Sequence, residues 1–158
     1  MKSAEKTEAA RQPAIGRKRA VDLLARAERQ EFIGAWEALA DKPVVQPVRG
    51  PETGLVMVRG RIGGGGAPFN LGEVTVTRAT VRLASGAVGH AQALGTDREK
   101  ARLAAIFDAL WQEEATQGFI EEKLLSPIAA RIADAAQRIA DETAATRVDF
   151  FTMVRGDD

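Results

Sequence analysis

Between residues 44 and 95 the sequence becomes a block of β-branched segments separated by glycine, and this block constrains the fold more than any other feature. Four of its segments have the composition of strands: residues 44–48, 53–62, 73–84 and 87–94. Ser85-Gly86 joins the last two as a compact turn, which favours an antiparallel hairpin. The block therefore predicts an antiparallel sheet of about four strands.

Apolar residues at helical spacing flank this block on both sides. Residues 17–41 have such a pattern with a weak point at residues 28–31, which predicts two short helices or one broken helix. Thr96 and Glu99 have the spacing of a capping box that opens a helix, and Ser126-Pro127 has the form of an N-cap followed by proline. The inner face of the final helix is predicted to contain Ile128, Ile132, Ala135, Ile139 and Thr143. The predicted fold is α+β, an antiparallel sheet with N-terminal and C-terminal helices on one face.

The two ends of the chain differ in character. Residues 1–16 are polar and basic, so we expect a flexible basic tail attached to a single domain of residues 17–158. No apolar run approaches the ~18–20 residues of a membrane span, and a cytoplasmic location is expected. Residues 148–154 are instead apolar on both faces of an extended segment, which either adds a strand to the protein's own sheet or docks on a partner. The expected docking residues are Phe150, Phe151, Met153, Val154 and Arg155.

Composition excludes several kinds of chemistry. The chain has no cysteine and one histidine, His90, which excludes disulfides, thiolate metal sites and most nucleophile–histidine pairs within the chain. Lys and Arg together number 22, as do Asp and Glu, so there is no overall field that attracts nucleic acid or a membrane surface. We expect no catalytic and no metal-binding residues in this chain.

A glycine-rich segment, residues 60–73 (GRIGGGGAPFNLGE), lies between two predicted strands. Polyglycine leaves backbone N–H groups open to an anion, but the phosphate-loop signature of Gly-Lys-Ser/Thr before a helix is missing. Arginines flank the segment in pairs that each share a strand face, and we expect them to converge on one side of the sheet. There they bind an anion or a partner, or form a solvated face. The candidate residues are Arg59, Arg61, Gly63, Gly64, Gly66, Asn70, Arg78 and Arg82.

The sequence resembles the PhnG family over about residues 17–157. The segments that carry the resemblance are ETGLV (52–56), GRIGGGGAPFNLGE (60–73), TVTRA (75–79), Gly89-His90 with Leu94-Gly95, and RVDFFTMVRGD (147–157). Gly65 departs from the family, which commonly has threonine there, so no hydroxyl role is expected at this position.

The resemblance implies a subunit of the carbon–phosphorus lyase complex. PhnG-like proteins associate with PhnH, PhnI and PhnJ in a core complex with two copies of each subunit. With PhnI, PhnH and the ATPase-like PhnL they support a transfer in which a phosphonate displaces adenine from MgATP, giving α-D-ribose 1-methylphosphonate 5-triphosphate. Carbon–phosphorus cleavage belongs to PhnJ.

The resemblance therefore implies a structural or allosteric subunit that is inactive alone. It implies no cofactor bound by this chain, with MgATP as a substrate of the whole complex, and neither a nucleic-acid nor a membrane partner. Two alternatives remain from the residues themselves. One is an arginine-rich module that binds nucleic acid or another polyanion, and the other is a freestanding enzyme that binds phosphorylated sugars. Zero net charge counts against the first, and the missing catalytic set counts against the second.

Overall fold

The computed structural model describes residues 16–62 and 65–146. Their elements, in chain order, are helices α1 (Arg17–Arg26) and α2 (Arg29–Ala38), strands β1 (Val45–Gly60), β2 (Phe69–Leu83) and β3 (Val88–Leu94), and helices α3 (Arg98–Trp111), α4 (Glu114–Ile120) and α5 (Ser126–Ala145). A π-helical turn, Glu121–Leu125, lies between the last two helices. The strands form one antiparallel sheet in the order β1-β2-β3, which confirms the predicted α+β fold. No helix in these two ranges is long and apolar enough to cross a membrane.

The described residues contain three strands, not about four, because the predicted strands at residues 44–48 and 53–62 form one strand, β1. The register of β1 against β2 shifts between Pro47 and Arg49 and again between Arg49 and Glu52. Such bulges let the strand bend while pairing continues. Proline is tolerated here because β1 is an edge strand.

Helix α3 forms the centre of the core. One face of the sheet covers it through residues such as Ala79 and Ala91, and α1, α2 and α4 contact it from other sides, so its residues from Leu103 to Trp111 are all buried. Phe107 of this helix stacks on Phe32 of α2, with ring centroids 5.7 Å apart. Burial on several sides explains why α3 is apolar beyond a single stripe.

The predicted N-cap residues of two helices are wrong. Asp97, not Thr96, is the N-cap of α3, because its carboxylate accepts a hydrogen bond from the backbone N–H of Lys100 at 2.9 Å. Ser126 does not cap a new helix either, since α4, the π-helical turn and α5 follow one another with helical dihedral angles throughout. Pro127 comes just after the π-helical turn, where the i→i−4 hydrogen-bond pattern of the α-helix is already interrupted.

The predicted inner face of α5 is only partly correct. Ile128 is buried and Ile132 is half-buried, but Ala135, Ile139 and Thr143 are exposed, with Ile139 at 65%. Residues 133–146, called the α5 extension below, are exposed throughout. The helix continues past the body of the domain, so its apolar positions there have no described neighbour to pack against.

Candidate functional site

Strands β1 and β2 continue beyond the end of β3 as a two-stranded ribbon. The last pair between β2 and β3 is Val76 with Leu94, and Gly54 lies opposite Val76 on β1. Apart from one hydrogen bond from the N–H of Gly95 to the carbonyl oxygen of Thr75, residues 55–60 and 69–75 pair only with each other, and we call them the hairpin arm. At about 3.3 Å per residue, the arm extends roughly 20 Å past the three-stranded part of the sheet.

Both faces of the hairpin arm are apolar and exposed. Leu55 and Met57 lie on the face that continues the helix-covered side, and they are 64% and 48% exposed. On the opposite face Val56 pairs directly with Val74. With the two residues nearer the tip, six large apolar side chains are exposed: Leu55, Val56, Met57, Phe69, Leu71 and Val74. An isolated two-stranded ribbon is marginally stable in water, so this arm requires cover.

The tip of the arm holds two of the predicted arginines. Arg59 lies opposite Asn70, and its Nη2 donates a weak hydrogen bond to the carbonyl oxygen of Pro68 at 3.5 Å. Arg61 follows the end of β1 and is exposed, as is Gly66 across the loop. Within residues 16–62 and 65–146, neither arginine forms an ion pair. Both guanidinium groups are therefore free to bind an anion outside the described chain.

The other two arginines lie at the base of the sheet. Arg78 lies opposite Glu52, and its Nε donates to Glu52 Oε1 at 2.6 Å, while Arg49 approaches the same carboxylate at 3.3 Å. Arg82 lies four residues further from the tip along β2. Arg78 is eight residues from Asn70 along β2, roughly 27 Å in extended chain. The expected convergence of four guanidinium groups is therefore wrong, because a hairpin this long separates residues near its loop from those near its base.

The side chains that commonly bind metal ions are dispersed in the described part of the chain. Residues 16–62 and 65–146 contain no group of three or more His, Cys, Asp or Glu side chains placed to hold a metal ion. An open cavity of about 270 Å³ lies where the arm leaves the body, lined in part by Glu52, Arg78 and Gln92. Since Glu52 already neutralises Arg78, this cavity is not a strongly cationic site.

His90 lies on the exposed outer face of β3. Its Nδ1 is 3.1 Å from the hydroxyl oxygen of Thr80, and its backbone N–H donates to Asp108 at 2.8 Å. The imidazole contacts no carboxylate or nucleophile described here that would make it an acid–base pair.

Asp108 is a residue that sequence reasoning missed. Its carboxylate is 1% exposed, forms an ion pair with Arg17 at 3.0 Å and accepts the N–H of His90. Gln112, one turn later at the C-cap of α3, donates to the carbonyl oxygen of Val88 at 2.9 Å. Asp108 and Gln112 therefore form hydrogen bonds with two backbone groups on the free edge of β3. The ion pair of Asp108 with Arg17 also links α1 to α3. The available signal was an acidic residue in the otherwise apolar run Ile106-Phe107-Asp108-Ala109-Leu110.

The remaining candidates lie outside the described residues. These are the two glycines Gly63 and Gly64, the tail of residues 1–15, and the docking residues Phe150, Phe151, Met153, Val154 and Arg155. The last group begins four residues after the end of the α5 extension in the sequence.

Two comparisons with known proteins match nearly the whole chain. A family model described as "Phosphonate metabolism protein PhnG" matches residues 15–156. A protein from Rhizobium meliloti (strain 1021) is 64% identical over 142 residues, which cover 90% of this chain and 90% of that protein. Its name is alpha-D-ribose 1-methylphosphonate 5-triphosphate synthase subunit PhnG.

Proposed function

The chain belongs to the PhnG family of phosphonate metabolism proteins, and we propose on that premise that it is a non-autonomous subunit of an α-D-ribose 1-methylphosphonate 5-triphosphate synthase. Identity of 64% across 90% of both chains is the observation that carries the proposal. The described residues support it, since they offer an uncovered apolar arm and no recognisable catalytic set. A subunit needs surfaces that bind its neighbours more than it needs a reaction centre of its own.

The hairpin arm is the docking element of this subunit. Complete burial of a large apolar side chain contributes ~1.5–3 kcal/mol, and because these side chains are already partly covered, each adds on the order of 1 kcal/mol when a partner encloses it. Six such side chains contribute several kcal/mol, which offsets part of the cost of association. The α5 extension and the segment after it, with Phe150 and Phe151, provide a second contact.

The partners we propose are PhnI, PhnH, PhnJ and a PhnL-like ATPase, with two copies of each core subunit. The complex works in the cytoplasm, takes MgATP and a phosphonate as substrates and releases adenine, while this chain binds no cofactor by itself. Its lack of cysteine supports this division, because iron–sulfur chemistry requires thiolate ligands from another subunit. A nucleic-acid module is not proposed, since the arginines lie in two separated pairs and Glu52 neutralises Arg78.

Co-expression tests the proposal directly. The tagged chain is produced alone and together with the four proposed partners, and each preparation is analysed by native mass spectrometry and by chromatography of adenine released from MgATP and methylphosphonate. We expect a stable complex, adenine release only by the complex, and loss of release when this chain is omitted. A monodisperse monomer that binds none of the partners, or adenine release by the lone chain, would contradict the proposal.

A further inference from the structure

We propose that the hairpin arm inserts into a cleft of a different subunit and there places Arg59 and Arg61 against the phosphoryl oxygens of a bound triphosphate. This inference rests on the proposed function and assigns a specific task to one part of the chain. The stem of the arm is the docking element, and its tip binds substrate.

The occupant of the stem is a different subunit and not a second copy of this chain. An arm with apolar side chains on both faces is covered only by a cleft with two apolar walls. Four cavities along the described residues measure about 120 to 500 Å³, and the larger two are open, so none of these four encloses a ribbon of two strands. The other uncovered sheet surface, around Arg78 and Arg82, is polar and covers one face at most.

The charge at the tip of the arm indicates that the ligand bound there is an anion. The described residues from Leu55 to Thr75 carry two arginines, Arg59 and Arg61, and one acidic residue, Glu73, so the tip is cationic. Enclosure in a protein cleft removes water from both guanidinium groups, and an enclosed guanidinium is stable only beside an anion. The described chain supplies neither arginine with a carboxylate. We therefore assign the anion to the other side of the contact.

A triphosphate fits this pair of arginines better than single carboxylates do. Arg59 and Arg61 are two residues apart, about 7 Å in extended chain, so their charges repel unless a ligand with several negative charges lies between them. Successive phosphoryl groups present several charged oxygens within that span, and guanidinium groups bind such oxygens in bidentate fashion. The synthase named for the 64% identical relative makes a 5-triphosphate, which belongs to this ligand class. A cleft lined by carboxylates is the rival arrangement.

Kinetics of the assembled complex separate these arrangements. The variants are Arg59→Ala, Arg61→Ala and Arg59→Lys, and the matched control is Arg98→Ala, which removes an exposed arginine from the first turn of α3. Each is co-expressed with the partners, its assembly is measured by native mass spectrometry, and the KM for MgATP is measured by adenine release. Tripolyphosphate then serves as a competing probe through its inhibition constant.

We expect the alanine variants to assemble and to raise both the KM for MgATP and the inhibition constant of tripolyphosphate by about tenfold or more, the effect of losing one charge-assisted hydrogen bond. Arg59→Lys keeps the charge but loses bidentate geometry, so it should give a smaller rise. Weakened assembly by both alanine variants, with normal constants for Arg59→Lys, would overturn the triphosphate contact in favour of partner carboxylates. Normal constants in all variants would overturn this inference alone, whereas a wild-type chain that neither assembles nor supports adenine release would overturn the proposed function.

Discussion

Replacing Gly89 with alanine tests the close approach of α3 to β3. A Cβ at this position would lie 2.6 Å from the backbone nitrogen of Ala109 and 2.9 Å from its Cβ, and closer still to the carbonyl oxygen of Ala105. These atoms belong to the helix and cannot rotate away. Helix α3 must therefore withdraw by at least 0.8 Å to change the 2.6 Å separation to the 3.4 Å at which ordinary contact begins.

Withdrawal of α3 destabilises the domain in two ways. Overpacking of a well-packed core typically costs about 1–3 kcal/mol. The shift also weakens the hydrogen bonds from His90 to Asp108 and from Gln112 to Val88, and each lost bond costs about 0.5–1.5 kcal/mol. We expect the free energy of unfolding to fall by about 3 kcal/mol, a large part of the ~5–15 kcal/mol that is typical of native domains.

Urea unfolding followed by tryptophan fluorescence measures this change, since Trp111 is buried at the end of α3. Gly54→Ala is the matched control in the same sheet, because a Cβ there meets nothing within 4 Å, and we expect a change below about 1 kcal/mol. If Gly89→Ala unfolds with a free energy within about 0.5 kcal/mol of the wild-type value, the close contact between α3 and β3 is refuted.

Four further predictions concern separate parts of the chain. Asp108→Asn removes a buried negative charge from its guanidinium partner and should lower the free energy of unfolding by about 1–3 kcal/mol in urea; an unchanged value would show that the ion pair is unimportant. The double variant Leu55→Ser/Met57→Ser should reduce light scattering by the lone chain and abolish pull-down of the partners; normal pull-down would exclude the arm as a docking element. Deleting residues 148–158 should abolish assembly without changing the circular dichroism melt, and unfolding would instead place that segment in the domain's own core. The hydrogen bond from Arg29 holds the pKa of Asp97 below its usual value. The stability that Asp97 contributes is therefore present above the unfolded-state pKa of about 3.9 and is lost as the pH falls through the lower folded-state pKa. The difference in melting temperature between wild type and Asp97→Asn should disappear in that acidic range, and a difference that persists there would contradict the assignment.

The sequence predicted the layout of the fold well, because periodicity reports the local pattern of burial. It did not predict that residues 44–48 and 53–62 form one strand, since Gly50-Pro51 has the composition of a turn and only pairing with β2 identifies it as a bulge. The spacing of apolar residues on α5 does predict a helix with an apolar stripe along one side. Periodicity cannot report whether any element lies opposite such a stripe, and beyond Ile132 none of the described elements does.

The candidate site was harder to predict because it depends on distance along the hairpin. Alternation places two arginines of one strand on one face, but it does not report how far they lie from arginines of the next strand. Arg131 shows the same limit. It lies on the polar side of α5, which indicates a solvated side chain, yet it donates two hydrogen bonds to Glu31 and one to the carbonyl oxygen of Arg26. The identity of the partner in a long-range pair, as for Arg17 with Asp108, has no local signal in the sequence.

The exposed hairpin arm also has a consequence for the amount of this protein that a cell can hold. An orphan copy, made in excess of its partners, leaves six large apolar side chains and an open strand edge in water, which is the kind of surface that aggregates or attracts chaperones and proteases. A copy within the complex hides the same surface. This chain therefore persists only when the subunits are synthesised in matched amounts. Because of the exposed arm, the abundance of this chain follows the abundance of the partner that covers the arm.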